Sequence, residues 1–137
     1  MQSALDILRE RGFIAQITFE EDLDKAFREQ KITFYTGFDP TADSLHIGHY
    51  IPIMAMAHMQ RAGHRPIALM GGGTGLIGDP SGKSDLRKML TPEIVDHNVD
   101  CIKQQMSRFL DFSDGKALIV NNADWLGRPH YIDFLRE

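Results

Sequence analysis

The run from Phe34 to Tyr50, F-Y-T-G-F-D-P-T-A-D-S-L-H-I-G-H-Y, constrains the fold more than any other stretch of the chain. Its β-branched and aromatic opening predicts a strand, Gly37 breaks that strand, and Asp39-Pro40 turns the chain. A helix is expected to start at Ser44, whose hydroxyl can accept an orphan N–H of the first turn. His46 and His49, three residues apart, then share one face of the first turns. Orphan amides and the positive dipole end make such a terminus an anion site. Two imidazoles there can donate to phosphate oxygens, and Gly48 between them lets a flat ring approach the backbone. The pattern suits a nucleoside triphosphate.

Upstream, residues 4–11 predict a short helix ended by Gly12, and Thr18 with Glu21 predicts a capping box for a second. Leu23, Ala26 and Phe27 share a face of that second helix, so both helices are expected to serve packing. Residues 1–31 thus form an N-terminal helical segment, and 32–137 the part carrying chemistry. The first strand is expected over 32–38, followed by a helix over 45–62. That helix is apolar around much of its circumference, through Ile47, Ile51, Met54 and Met59, and Pro52 within it removes one backbone donor. Ile67 to Met70 reads as a continuously apolar strand, as in a parallel sheet covered on both faces.

The glycine-rich run Gly71 to Ser84 is expected to be a loop. It contains G-x-G-x-x-G literally, but Asp79-Pro80 turns the chain where a dinucleotide fingerprint must open a helix, and Glu93 starts a helix instead of ending a strand. The spacing from Gly78 to Gly82 is one residue short of a Walker loop. Thr91-Pro92 starts a further helix with a core stripe of Val95, Val99, Ile102, Met106 and Phe109. Asp114-Gly115 marks a turn, residues 117–120 a third strand, and 130–136 a last helix. Strand-helix-strand-helix-strand order predicts an α/β fold with a right-handed, doubly wound parallel sheet. Ligands in such sheets sit beyond the carboxyl ends of the strands. Those ends carry Gly37 to Thr41, Gly71 to Asp79 and Asn121 to Trp125.

A net charge of -4 argues against an extensive basic nucleic-acid surface within these 137 residues. The single cysteine, Cys101, excludes an internal disulfide and fits a reducing compartment. Without an early signal-like run or ~18 consecutive apolar residues, a cytoplasmic location is expected and a membrane is not. His64, His97 and His130 lack metal-ligand spacing, so no metal site is predicted.

H-I-G-H after a strand and short loop resembles the signature of class I aminoacyl-tRNA synthetases. The longer run Y-T-G-F-D-P-T-A-D-S-L-H-I-G-H resembles their bacterial-type tyrosine-specific family in particular. The likeness continues through G-L-I-G-D-P-S-G-K, R-F-L-D-F and N-N-A-D-W, and so covers nearly the whole chain. It implies a Rossmann-like nucleotide-binding fold, of which this chain holds the first half. It also implies activation of L-tyrosine by ATP, brought with Mg2+, to tyrosyl-adenylate, and transfer to tRNA(Tyr). By resemblance Thr41 and His46 meet the γ-phosphate end of ATP, His49 the ribose, and Gly48 lies beneath adenine, with Gly37, Asp39 and Pro40 bordering the adenylate. Lys83 and Arg87 would clamp pyrophosphate; Asp79 would take the substrate ammonium and Tyr35 its phenol. Asn122 and Trp125 would brace the pocket wall.

The family's second half-sheet, K-M-S-K-S loop and anticodon-binding region have no counterpart here, which implies an N-terminal part of a synthetase. The rest would supply most tRNA contacts, and the full-length parent is expected to be a homodimer. Two other classes stay open: another nucleotide enzyme on a similar sheet, such as a tryptophan-specific synthetase or a nucleotidylyltransferase, and a non-catalytic synthetase piece.

Overall fold

The structure, a computed structural model, describes residues 2–77 and 90–128. Its elements run α1 (Ala4–Glu10), α2 (Glu20–Glu29), β1 (Thr33–Phe38), α3 (Ile47–Arg61), β2 (Arg65–Met70), α4 (Gly72–Ile77), α5 (Pro92–Met106), β3 (Leu118–Asn121) and α6 (Ala123–Leu126). The expected helix over 130–136 lies outside the described residues.

The three strands form a parallel sheet in the order β1-β2-β3, with Tyr35 opposite Ile67 and Ile67 opposite Leu118. Right-handed crossovers that advance in one direction send successive helices to the same face. Accordingly Ile53, Met56 and Ala57 of α3 and Val95, Val99, Ile102 and Met106 of α5 share one core with Phe38, Ala68 and Met70. The alternation along β2 follows: Pro66, Ala68 and Met70 are buried, whereas Arg65, Ile67 and Leu69 are half-buried. Coverage of both faces was expected, yet among the described residues only one face has a core packed against it. A continuous apolar strand also fits a face left for other chain to cover. The same asymmetry explains α3, whose inner side is buried while Ile47 is 80% exposed and Ile51 59%.

The first two helices have a smaller core of Ala4, Leu5, Leu8 and Phe27 against Met59 on the back of α3. Ser3 and Asp6 form a reciprocal capping box at α1. Helix α2 departs from expectation, because Thr18 does not cap it. The N-cap is Phe19, in the left-handed region at φ 53 and without a side-chain cap bond. Arg28 ties the pair together by bonding Asp6 and Asp24.

Helix α5 begins as predicted, with Thr91 Oγ1 accepting the Ile94 N–H and Pro92 at the first position. Its stripe ends at Met106; Phe109 lies past the helix and meets Tyr50 edge-on instead of joining the core. Gly12 and Gly115 take positive φ, as the helix stop and turn predicted there require.

Candidate active site at the carboxyl ends of the strands

Three segments converge beyond Phe38, Met70 and Asn121. The glycine run, expected to be a loop, is helical from Gly72 to Ile77. Intrinsic propensity cannot account for this, since glycine disfavours helix interiors. The amides of Asn121 and Asn122 supply the missing support. Asn121 Oδ1 accepts from Gly72 N–H at 3.1 Å, and Asn122 Oδ1 from Gly73 N–H at 2.7 Å. Asn122 Nδ2 also donates to Thr74 Oγ1 at 3.1 Å. These contacts need bare backbone: a methyl at Gly72 would fall on the Asn121 amide, and one at Gly71 would sit 2.7 Å from Asp39 Oδ1. Asn122 thus ties α4 to the end of β3, while Trp125 beside it stands half in solvent.

The signature helix starts differently from the expectation. Ser44 is not its cap; His46 is. His46 Nδ1 accepts the Gly48 N–H at 3.0 Å, and His49 Nδ1 accepts the His46 N–H at 3.2 Å. The two rings stack with centroids 3.8 Å apart. An imidazole nitrogen that accepts carries no proton, so in the neutral rings the hydrogen sits on Nε2 of each. Burial, then the neighbouring His46, pushes the His49 pKa below its ordinary value against a smaller opposing pull from Asp39. Two first-turn amides therefore bond within the protein, Gly48 N–H to the ring and His49 N–H to the His46 carbonyl. Each ring thus keeps its Nε2–H as a donor for an anion, beside the Ile47 N–H, which has no acceptor among the described residues.

Gly48 has a further role in this arrangement. A methyl there would lie 2.8 Å from Cε1 of His46, so the ring edge that accepts the Gly48 N–H can approach only a glycine. Pro52 sits one turn later inside α3, as predicted.

Asp39, Thr41, His46 and Gly48 are exposed, Pro40 is buried, and His49 is half-buried, all between the end of β1 and the first turn of α3. Gly37 has nothing within 4 Å of where its side chain would be, which leaves open space over the sheet. Tyr35 shares that open face and is 69% exposed. It lies mid-strand, three residues or about 10 Å before the carboxyl end. Asp79, Lys83 and Arg87 lie outside the described residues. No group of three or more potential metal ligands occurs among the described residues.

Sequence reasoning missed Asn98 and Gln105 of α5. Asn98 is buried and its Nδ2 donates to the Pro40 carbonyl at 3.0 Å. Gln105 Oε1 accepts the Leu45 N–H at 3.0 Å and its Nε2 donates to the Asp43 carbonyl at 2.9 Å. The available signal was a pair of amide residues seven apart beside an apolar stripe.

Comparison with known proteins agrees with this architecture. The family described as tRNA synthetases class I (W and Y) matches residues 27–137. Tyrosine--tRNA ligase of Clostridium beijerinckii is 67% identical over the whole chain, which covers 34% of that protein. The ligase of the same name from Fusobacterium nucleatum is 61% identical, again over the whole chain and 34% of its own length. The chain thus spans about a third of these curated relatives. Among solved structures, a C-terminally truncated mitochondrial tyrosyl-tRNA synthetase of Aspergillus nidulans superposes with a TM-score of 0.79 at 26% identity, over 99% of this chain and 42% of that one. With the parallel sheet, the H-I-G-H helix and a family match over most of its length, the chain belongs to the class I tRNA synthetases of the tryptophan and tyrosine group.

Proposed function

We propose that this chain carries the ATP-facing half of a tyrosine-activating site in a tyrosyl-tRNA synthetase. The observation that supports it most is the stacked pair His46 and His49, each ring fixed through Nδ1 with Nε2–H turned outward at the strand ends. In the reaction the tyrosine carboxylate oxygen attacks the α-phosphorus of ATP. A carboxyl–phosphate bond forms, the bond to the β-phosphate bridging oxygen breaks, and pyrophosphate leaves with that electron pair. Transfer of the tyrosyl group from the adenylate to tRNA(Tyr) follows.

Such chemistry asks the protein mainly for positioning and for donors aimed at developing charge. His46 and Thr41 face the γ-phosphate end, and His49 the ribose. The two imidazoles act there as hydrogen-bond donors through Nε2–H. Gly37, Asp39 and Pro40 border the adenylate, and the open space over Gly37 leaves room beside Tyr35 for a substrate ring. Tyr35 serves the phenol, Asp79 the ammonium, and Lys83 with Arg87 the pyrophosphate. Mg2+ arrives with ATP as part of the substrate. In the full-length synthetase most tRNA(Tyr) contacts come from other regions, the assembly is a homodimer, and the enzyme works in the cytoplasm. No helix among the described residues is long and apolar enough to cross a membrane.

Tyrosine-dependent ATP–pyrophosphate exchange by the synthetase carrying this segment tests the reading. Exchange driven by tyrosine and not by tryptophan is expected; exchange driven by tryptophan would replace it with the sister specificity.

A further inference from the structure

The loop from Asp39 to His46 carries much of the proposed ATP contact, yet its own backbone holds it weakly. Among the described residues one backbone bond is internal to it, from Thr41 N–H to the Asp39 carbonyl at 2.9 Å. Apart from the bonds of His46 to Gly48 and His49 in α3, its other hydrogen bonds come from α5. Asn98 holds the Pro40 carbonyl at the loop's start, and Gln105 holds Asp43 and Leu45 at its end. The two amides lie seven residues apart, two helical turns or about 10.5 Å along one face. Gln105 is itself fixed by a second donation from Nε2, to the Cys101 carbonyl at 3.1 Å. The core residues Ile102 and Met106 anchor the same stretch of helix.

We propose that Gln105, with Asn98, is a positioning residue for adenylate formation. Resting on the synthetase reading above, it clamps the signature loop to α5 and so fixes where His46 Nε2–H points. Leu45 immediately precedes the capping histidine, so the Gln105 bond to its amide sets the direction in which the chain enters α3. Without that bond the loop keeps its length and composition but loses its register against the helix. The two His46 restraints, ring to Gly48 and amide to His49, then sit on a mobile entry. Misplacement of reacting groups by about 1 Å can cost on the order of 100-fold in rate.

Gln105→Met keeps the bulk and removes all three bonds. In the synthetase carrying this segment, its exchange kcat should fall roughly 10–100-fold, with KM for ATP and for tyrosine within about twofold. In a His46→Ala background the same change should cost less than about twofold, because its effect is routed through that ring. Gln105→Glu retains the acceptor for Leu45 but not the donor for Asp43, and should fall between. A kcat within about twofold of the parent, or losses that multiply with His46→Ala, would overturn the proposal. The imidazole 15N spectrum of the synthetase carrying this segment, with substrates withheld, supplies a readout independent of turnover. His46 should show protonated Nε2 and bare Nδ1, and a mixture in Gln105→Met; an unchanged spectrum in the variant counts against the clamp. Absence of tyrosine-driven exchange in the parent enzyme would instead defeat the synthetase reading, and the spectrum alone would then decide the clamp.

Discussion

His46 does two jobs in the proposed site with one ring: Nδ1 caps the start of α3, and Nε2–H is the donor offered to ATP. His46→Ala should lower the activation rate roughly 10²–10³-fold, the usual loss for one transition-state donor. The KM for ATP should change much less, since the bond tightens as charge develops; exchange kinetics separate the two. Gly48→Ala tests the same ring from beneath, since the added methyl must displace an imidazole whose nearest atom would be 2.8 Å away. Its kcat loss should approach that of His46→Ala without any polar group having been removed. Tyr35 bears on selectivity. Tyr35→Phe should weaken tyrosine activation by ~1–3 kcal/mol, the cost of a lost buried polar partner, while phenylalanine activation barely changes; equal losses would make Tyr35 a packing residue. Tyrosyl-tRNA synthetase is itself the standard illustration of hydroxyl-based discrimination, so its size is no independent result here. The histidine pair was visible in the sequence as a spacing. Its capping role was not, because cap preferences favour Ser, Thr, Asp and Asn, and Ser44 offered the expected hydroxyl.

Elements show where local signals suffice and where distant partners decide. The start of α5 was readable because Thr91 and Pro92 act within one turn. The helicity of Gly72–Ile77 was not, because its N–H groups are satisfied by Asn121 and Asn122 almost fifty residues later. Asn122→Ala should therefore destabilise by ~1–2 kcal/mol, as loss of a cap does, and denaturant titration of the chain measures it. Phe109 fooled the periodicity because a 3.6-residue rhythm continues on paper past the point where the helix ends. Acid provides a second test at this scale. His49 and His64 both have pKa values below the ordinary one, through burial, and both accept a backbone N–H at Nδ1. The unfolded chain takes up their protons near pH ~6.5 before the folded one does. Stability is then fully present above that pH and declines as pH falls through it and on toward the folded pKa values. Denaturation midpoints at pH 7.5 and 5.5 should differ in that direction, and His64→Gln should reduce the difference.

At the scale of the molecule, the α/β class and the parallel order were legible from the succession of strands and helices, whereas the one-sided burial of the sheet was not. Ile67, Leu69, Leu118 and Val120 are half-buried on the side of Tyr35, and Ile47 and Ile51 stand exposed on α3. Apolar surface of this kind invites association. The 137-residue chain alone should self-associate in sedimentation at micromolar concentration and charge little tRNA; a monodisperse monomer that charges tRNA would refute both. The β1-β2-β3 order also has a consequence in time. Pairing β1 with β2 spans one helix, and closing β3 onto them brings in the chain that bears Asn98, Gln105, Asn121 and Asn122. Loop-closure entropy favours closing the shorter segment first, so the histidine turn is expected to form in an early βαβ nucleus and its amide restraints to follow. In stopped-flow refolding, Ile53→Val on α3 should slow folding, whereas Asn121→Ala should chiefly hasten unfolding. Between those two events the histidine turn would exist without the contacts that orient it.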